Sequence, residues 1–152
     1  DGIDSIRGAL FDGRALRLGH GVRIAEDIEL EDEDGENTYV TLGPVAEWVK
    51  DRAIALELSP SSNLQTNAWG TELSDHPFDL LYQLGFRVTV NTDNRLMSNT
   101  SLSRELSLLS DTFGYDASDL EVFQLNAAEA AFLPVEDREE LAAAISAGFE
   151  QA

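Results

Sequence analysis

The fold is decided by residues 54–63, which read IALELSPSSN. Their first five residues are mostly apolar and strand-forming, and the run stops at Ser59 and Pro60, where turn-forming residues take over. This pattern predicts a short β-strand with a group of polar residues directly after its end.

Two further runs of the same kind lie on either side of this stretch, at residues 15–18 (ALRL) and 87–90 (RVTV). Helical spacing of apolar residues precedes each strand, at residues 3–10, 39–52 and 77–85. Helices that alternate with strands predict parallel strands with right-handed crossovers, in an open doubly wound sheet or a (β/α)8 barrel.

The pattern changes after the third strand, because only helices follow it. They are predicted at residues 101–112, 119–132 and 135–149, and the spacing of Ser118 and Glu121 predicts a capping box at the start of the second. The strand repeat suits a barrel of about 250 residues in eight units of roughly 31 each. The predicted class is therefore α/β with a helical C-terminus, although three strands cannot close a barrel.

Charge and cysteine content exclude several classes of protein. The 152 residues carry 10 Lys and Arg against 29 Asp and Glu, a formal net charge of −19, which excludes a nucleic-acid groove and an anionic membrane surface. There are no cysteines, so only His, Asp and Glu remain as plausible metal ligands. Because no 18-residue apolar run or basic secretory leader is visible, we expect no membrane span and a cytoplasmic protein.

The polar residues that follow the three strands are the candidate site. The carboxyl ends of parallel strands share one face, so we expect His20, Asn63, Asp93 and Asn94 to be neighbours. Asp93 could serve only as a helix cap or turn residue, and His20 could be an ordinary loop histidine. The glycines on both sides of His20 favour close approach of a ligand, and a carboxylate facing an imidazole is what a hydrolytic metal site requires.

Other candidates have simpler interpretations. We expect His76 to be a surface residue at the start of a helix. The acidic residues 26–36 fail as an EF-hand, because aligning Gly35 with the sixth loop position puts Leu30 and Thr41 where acidic ligands belong, so we expect a solvated loop after the first strand. The sequence has neither a phosphate-binding glycine loop nor a nucleophile elbow.

Four ordered motifs resemble the C-terminal half of bacterial adenosine deaminases. They are RLGHGVRI at 17–24, LELSPSSN at 56–63, HPF at 76–78 and VTVNTDNRLMS at 88–98. The resemblance implies a zinc-dependent (β/α)8 barrel of the amidohydrolase type, in which hydroxide held by zinc attacks C6 of the purine and ammonia leaves. The three strands would be the sixth to eighth of the barrel, and residues 1–152 the C-terminal part of one barrel domain.

The resemblance also implies roles for individual residues. His20 matches the histidine that holds and helps deprotonate the attacking water, and Asp93 matches the aspartate that ligates zinc. Asn94 stands where many relatives carry a second aspartate that bonds the purine N7. An asparagine amide can donate to N7 without being protonated.

The other zinc ligands of the family are not in this sequence. They come from a His-x-His pair and a His-Ala-Gly-Glu motif, and residue 1 falls just after the place where the latter would end. We therefore expect a chain that is inactive alone and that needs the N-terminal half of the barrel, or self-association, to cover its open strand edges. The alternatives are a deaminase of adenine or another 6-aminopurine, and a non-catalytic half-barrel that self-associates.

Overall fold

The chain alternates helices and strands and then ends in helices alone. The computed structural model describes residues 2–32 and 38–151. The strands are β1 (Arg17–Gly19), β2 (Ile28–Asp32), β3 (Thr38–Leu42), β4 (Ala55–Leu58) and β5 (Val88–Val90). The α-helices are α1 (Ile3–Phe11), α2 (Pro44–Asp51), α3 (Pro60–Gln65), α4 (Phe78–Gln83), α5 (Arg95–Ser98), α6 (Leu102–Phe113), α7 (Ala117–Ala130) and α8 (Val135–Phe149).

The three strands predicted from the sequence form one parallel sheet in the order β1-β4-β5. Leu18 lies opposite Leu56, which in turn lies opposite Val88. Helices connect neighbouring strands, as parallel pairing requires. The predicted α/β class with a parallel sheet is confirmed.

The hydrophobic core lies between this sheet and the helices that precede, connect and follow its strands. Leu56, Leu58 and Val88 are fully buried, as are Phe78 and Leu81 of α4. On the side of β5 away from β4, the Asn126 amide of α7 donates to the Val88 carbonyl at 3.0 Å. A helix therefore satisfies part of a strand edge that we expected to be open.

A hairpin between β1 and α2 was not predicted. Strands β2 and β3 pair antiparallel, with Leu30 opposite Val40. The helix predicted over 39–52 therefore begins only at Pro44, because the β-forming residues 39–41 pair instead with a strand in which apolar and acidic residues alternate. The prediction of a solvated loop over 26–36 is wrong for residues 28–32, and residues 33–37 lie outside the described part.

The hairpin also sets the start of α2. The Asp27 carboxylate accepts hydrogen bonds from the backbone N–H groups of Val45 (2.8 Å) and Ala46 (2.9 Å), so a residue distant in sequence caps the helix. A Cβ atom at Gly43 would overlap that carboxylate. Glycine at this position is therefore what allows Asp27 to reach the helix end.

The C-terminal helices follow the prediction with one change. The capping box is formed by Asp116 and Asp119 rather than by Ser118 and Glu121, because α7 begins two residues earlier than expected. In the described part of the chain no strand follows β5. Within the same ranges, no helix combines the length and the apolar character needed to cross a bilayer.

Candidate active site

The carboxyl ends of β1, β4 and β5 bring together polar residues from three parts of the sequence. His20 directly follows β1 and Asp93 comes three residues after β5, and the His20 Nε2 atom lies 3.8 Å from Asp93 Oδ2. Both residues line a cavity of about 330 Å³, together with Glu57 and Ser59 of the middle strand and its end. The imidazole and the carboxylate thus meet where the strand pattern predicted them, while their roles stay predictions.

The backbone at both residues is strained. His20 has φ of 61° and Asp93 has φ of 52°, in the left-handed region that residues with a Cβ atom rarely occupy. Such conformations persist where surrounding structure enforces them, and they concentrate at active sites. Gly21 follows with φ of 64°, and a Cβ atom there would lie 2.8 Å from the Leu56 side chain, so only glycine fits beside His20.

The Asp93 carboxylate is held from behind by Ser62 at the start of α3. The Ser62 hydroxyl donates to Asp93 Oδ2 at 2.6 Å, and Ser62 itself is buried. The Asp93 side chain remains 43% exposed, so its carboxylate is oriented but still reachable. The sequence pattern did not single out Ser62 as a site residue.

His20 is held by a chain of two buried side chains, Asn63 and His76. Asn63 Nδ2 lies 3.0 Å from His20 Nδ1, and Asn63 Oδ1 lies 3.1 Å from His76 Nε2. The Phe78 backbone N–H donates to His76 Nδ1 at 3.1 Å. Burial lowers the pKa of His76 to about 4, so its ring is neutral at pH 7. The expectation that His76 lies on the surface is wrong, because the ring caps the α4 backbone from inside.

A buried carboxylate supports the same end of the sheet. Glu105 of α6 is fully buried and accepts hydrogen bonds from the Ser61 backbone N–H (3.0 Å) and the Thr100 hydroxyl (2.5 Å). It therefore ties the start of α3 to the segment that follows β5. The sequence gives no signal for this role, since one glutamate among the polar residues of an amphipathic helix is typical of a solvent-facing position.

Asn94 has the capping role that sequence analysis considered for Asp93. Its Oδ1 accepts the backbone N–H groups of Leu96 and Met97, both at 3.1 Å, at the start of α5. Asn94 is exposed, and the bonds to Oδ1 direct its Nδ2 donor away from the helix.

The side chains at this site provide one clear ligand for zinc, the Asp93 carboxylate. Asp93 supplies a carboxylate, an oxygen ligand that zinc accepts, whereas structural and catalytic zinc sites need three or four protein ligands. Across residues 2–32 and 38–151, no three His, Asp or Glu side chains converge as a metal-binding set. A complete set of zinc ligands would therefore need residues beyond these ranges.

Sequence comparisons identify one family. A family model described as adenosine deaminase matches residues 1–147. The adenosine deaminase of Mycobacteroides abscessus is 51% identical over 137 residues, which cover 90% of this chain and 36% of that protein. The chain thus spans about a third of the length of the curated relatives it matches.

Solved structures with the same fold extend the comparison. Adenine deaminase from Arthrobacter aurescens aligns with all of this chain and 41% of its own, with a TM-score of 0.83 and 20% identity. An amidohydrolase from Burkholderia ambifaria with bound Zn aligns over 99% of this chain and 38% of its own, with a TM-score of 0.78 and 19% identity. The expected fold, part of a (β/α)8 barrel, is confirmed.

Proposed function

Because this chain belongs to the adenosine deaminase family, we propose that it supplies the C-terminal part of a barrel that hydrolyses adenosine. Water adds to C6 of the purine, the C6–N bond to the amino group breaks, and the products are inosine and ammonia. The observation that carries the proposal is the meeting of His20 Nε2 and Asp93 Oδ2, 3.8 Å apart, at the carboxyl ends of two parallel strands. Active sites of barrel enzymes form at this end.

Zinc is the proposed cofactor, and Asp93 is the residue of this chain that would hold it. When bound, zinc lowers the pKa of a coordinated water toward neutrality. Support comes from the carboxylate chemistry of Asp93 and from the bound Zn in the Burkholderia amidohydrolase. We propose that the N-terminal part of the barrel supplies the remaining ligands, since the described residues contain no complete set.

We propose complementary tasks for His20 and Asp93. Their facing atoms are far enough apart to contact a single water from two sides, so the pair can orient the water toward C6. The Ser62 hydroxyl, 2.6 Å from Asp93 Oδ2, keeps the carboxylate from rotating away. Holding the reactants in this way contributes to rate by reducing the entropy lost in the transition state.

Asn94 is the proposed contact to the purine. Its Oδ1 is occupied by the start of α5, so the atom left to face a ligand is the Nδ2 donor. That donor matches the acceptor at purine N7. Because an amide does not titrate, the contact would not depend on pH.

Adenosine is favoured over adenine as the substrate. Relatives about 51% identical to this chain are adenosine deaminases, whereas the adenine deaminase of similar fold shares 20% identity. The ribose of adenosine adds contacts that adenine lacks, so a direct comparison of the two substrates separates the alternatives.

The test combines this chain with the complementary N-terminal region of the Mycobacteroides abscessus enzyme. The two parts are co-expressed, purified together and loaded with zinc, and the ultraviolet absorbance of adenosine and adenine is followed. We expect turnover of adenosine that requires both parts. Asp93→Ala should lower kcat/KM by about 10³-fold or more and reduce bound zinc measured by plasma emission.

Asp111→Ala is the matched control, because Asp111 is an exposed carboxylate on α6 away from the site. It should leave zinc content and turnover unchanged. Turnover by the 152-residue chain alone, or full zinc content in Asp93→Ala, would contradict the proposal. A folded, metal-free oligomer that gains no activity from the N-terminal region would instead favour a half-barrel that self-associates.

A further inference from the structure

The hydrogen bonds behind His20 begin at two donors whose direction is fixed. A backbone N–H group can only donate a hydrogen bond. Two such groups contact the buried side chains of Asn63 and His76. The Ser59 N–H donates to Asn63 Oδ1 at 3.3 Å, and the Phe78 N–H donates to His76 Nδ1 at 3.1 Å. These two bonds determine the direction of every other bond in the chain.

The Phe78 N–H determines which nitrogen of the His76 ring carries the proton. Since Nδ1 accepts from Phe78 and the buried ring is neutral, with a pKa of about 4, its single proton is on Nε2. Nε2 lies 3.1 Å from Asn63 Oδ1 and therefore donates to it.

The Ser59 N–H and the His76 Nε2–H determine the orientation of the Asn63 amide. Its oxygen accepts both the Ser59 N–H and the His76 Nε2–H, so the NH₂ group faces His20 Nδ1 at 3.0 Å. An amide nitrogen only donates, and His20 Nδ1 must therefore accept. In the neutral His20 ring the proton is then on Nε2, the atom that faces Asp93.

We propose that His76 is a positioning residue which, through Asn63, fixes His20 as the tautomer with its proton on Nε2. His20 then presents a hydrogen-bond donor to the oxygen of the attacking water, and the Asp93 carboxylate is the group that accepts a proton from it. This differs from the role implied by the family resemblance, in which the histidine helps to deprotonate the water. The catalytic part of the inference rests on the proposed function, whereas the tautomer does not.

Burial makes this arrangement hard to reverse. Asn63 is fully buried and His76 is 3% exposed, so solvent does not compete for their bonds. Turning the Asn63 amide over would direct its NH₂ group at two other donors, the Ser59 N–H and the His76 Nε2–H. The fold therefore selects the tautomer of an otherwise half-exposed histidine.

The test reads the His20 tautomer directly by ¹⁵N NMR of the imidazole rings of this chain, labelled at its histidines and purified together with the unlabelled N-terminal region. The chain has only two histidines, so four ring nitrogens account for the whole spectrum. The spectrum is recorded at about pH 8.5, and we expect His20 to show a protonated Nε2 and a bare Nδ1. A proton on Nδ1 would overturn the proposal.

A matched pair of variants tests the contribution of His76. His76→Leu loses both the acceptor for the Phe78 N–H and the donor to Asn63 Oδ1, whereas His76→Gln keeps an amide NH₂ group that can reach Asn63 Oδ1. We expect His76→Leu to give a mixture of His20 tautomers and His76→Gln to restore the Nε2-protonated form. Equal spectra for the two variants would contradict a role for His76.

Asn63→Asp serves as the second variant if His76→Leu fails to fold. It replaces the NH₂ donor by an acceptor of the same shape, so the His20 proton should move to Nδ1. An unchanged tautomer in Asn63→Asp would show that Asn63 does not determine it.

Kinetics of the zinc-loaded two-part enzyme give the catalytic readout. We expect His76→Leu to lower kcat by about 10-fold to 100-fold with KM little changed, and His76→Gln to recover much of that loss. Equal kcat values in the two variants would refute the catalytic part. Absence of deamination by the unaltered two-part enzyme would count against the proposed function, while the NMR result would still decide the tautomer.

Discussion

The candidate site has two layers that differ in solvent exposure and in backbone strain. The exposed layer consists of His20, Asp93 and Asn94, and the side chains of the first two are 45% and 43% exposed. The buried layer consists of Ser62, Asn63, His76 and Glu105, none more than 4% exposed. In the exposed layer His20 and Asp93 have strained backbone and carry the proposed chemistry, whereas the buried layer supplies hydrogen bonds that orient them. Because their hydrogen-bond partners lie on the buried side, His20 and Asp93 are oriented without losing their exposure to solvent.

The buried layer rests in turn on an aromatic cluster. The Phe78 ring, next to His76, packs edge-to-face on Phe123 at 5.1 Å and lies 6.1 Å from Tyr115. The Tyr115 hydroxyl donates to Asp79 at 2.8 Å, so its polar end is satisfied at the edge of the core. Burial, followed by this hydrogen bond, raises the pKa of Tyr115. The residues that orient His20 are therefore continuous with the rigid core.

Removing the buried carboxylate should have the largest effect on stability. Glu105→Leu leaves the Ser61 N–H and the Thr100 hydroxyl without their acceptor, and each unsatisfied donor costs about 1–3 kcal/mol. We expect the free energy of unfolding in urea to fall by about 3 kcal/mol, and by less in Glu105→Gln, which keeps one acceptor. Glu139→Leu, an exposed glutamate on α8, is the control. Equal losses in the two leucine variants would remove the distinction between the layers.

Acid should weaken the buried layer through His76. Its pKa is lowered to about 4 in the folded chain, below the ordinary 6.5, so the unfolded state binds its proton first as pH falls. The stability contributed by the neutral ring is present above pH 6.5 and is lost progressively down to about pH 4, up to about 3 kcal/mol.

The comparison with His76→Gln isolates this contribution, because both proteins share the same titrating carboxylates. Urea unfolding between pH 7.5 and pH 4 should show the unaltered chain losing stability faster than the variant. If stability changed with pH in the same way in both proteins, burial of His76 would not disfavour its protonation. The buried layer would then differ less from the exposed layer.

The smallest effect is expected in the exposed layer, at Asn94. Asn94→Ala removes the cap of α5 and should cost about 1 kcal/mol, whereas Asn94→Asp keeps an oxygen for the Leu96 and Met97 N–H groups and should cost less. Thermal unfolding measures the loss of stability, and amide hydrogen exchange at residues 96 and 97 measures the loss of protection of the two capped N–H groups. A cost in Asn94→Ala as large as that in Glu105→Leu would mean that the exposed layer also supports the fold.

Sequence patterns predicted the framework well because the framework depends on local chemistry. Apolar runs that end in turn residues located β1, β4 and β5, and parallel topology then placed His20 and Asp93 at one edge. The β2–β3 hairpin was missed because the apolar residues of β2 alternate with acids, a pattern that also suits a solvated segment. That hairpin depends on the pairing of two segments, which neither segment shows alone.

By itself the sequence determined the parallel α/β framework, the family and the residues that carry the proposed chemistry, because strand periodicity and motif order are properties of the chain. Only the tertiary structure decided that His76 and Glu105 are buried and how Asn63 and Ser62 orient the site. A histidine before a proline and a glutamate on an amphipathic helix have the same local signature at the surface and in the core. What distinguishes them is the set of hydrogen-bond partners brought close by folding, from residues 13 to 44 positions away.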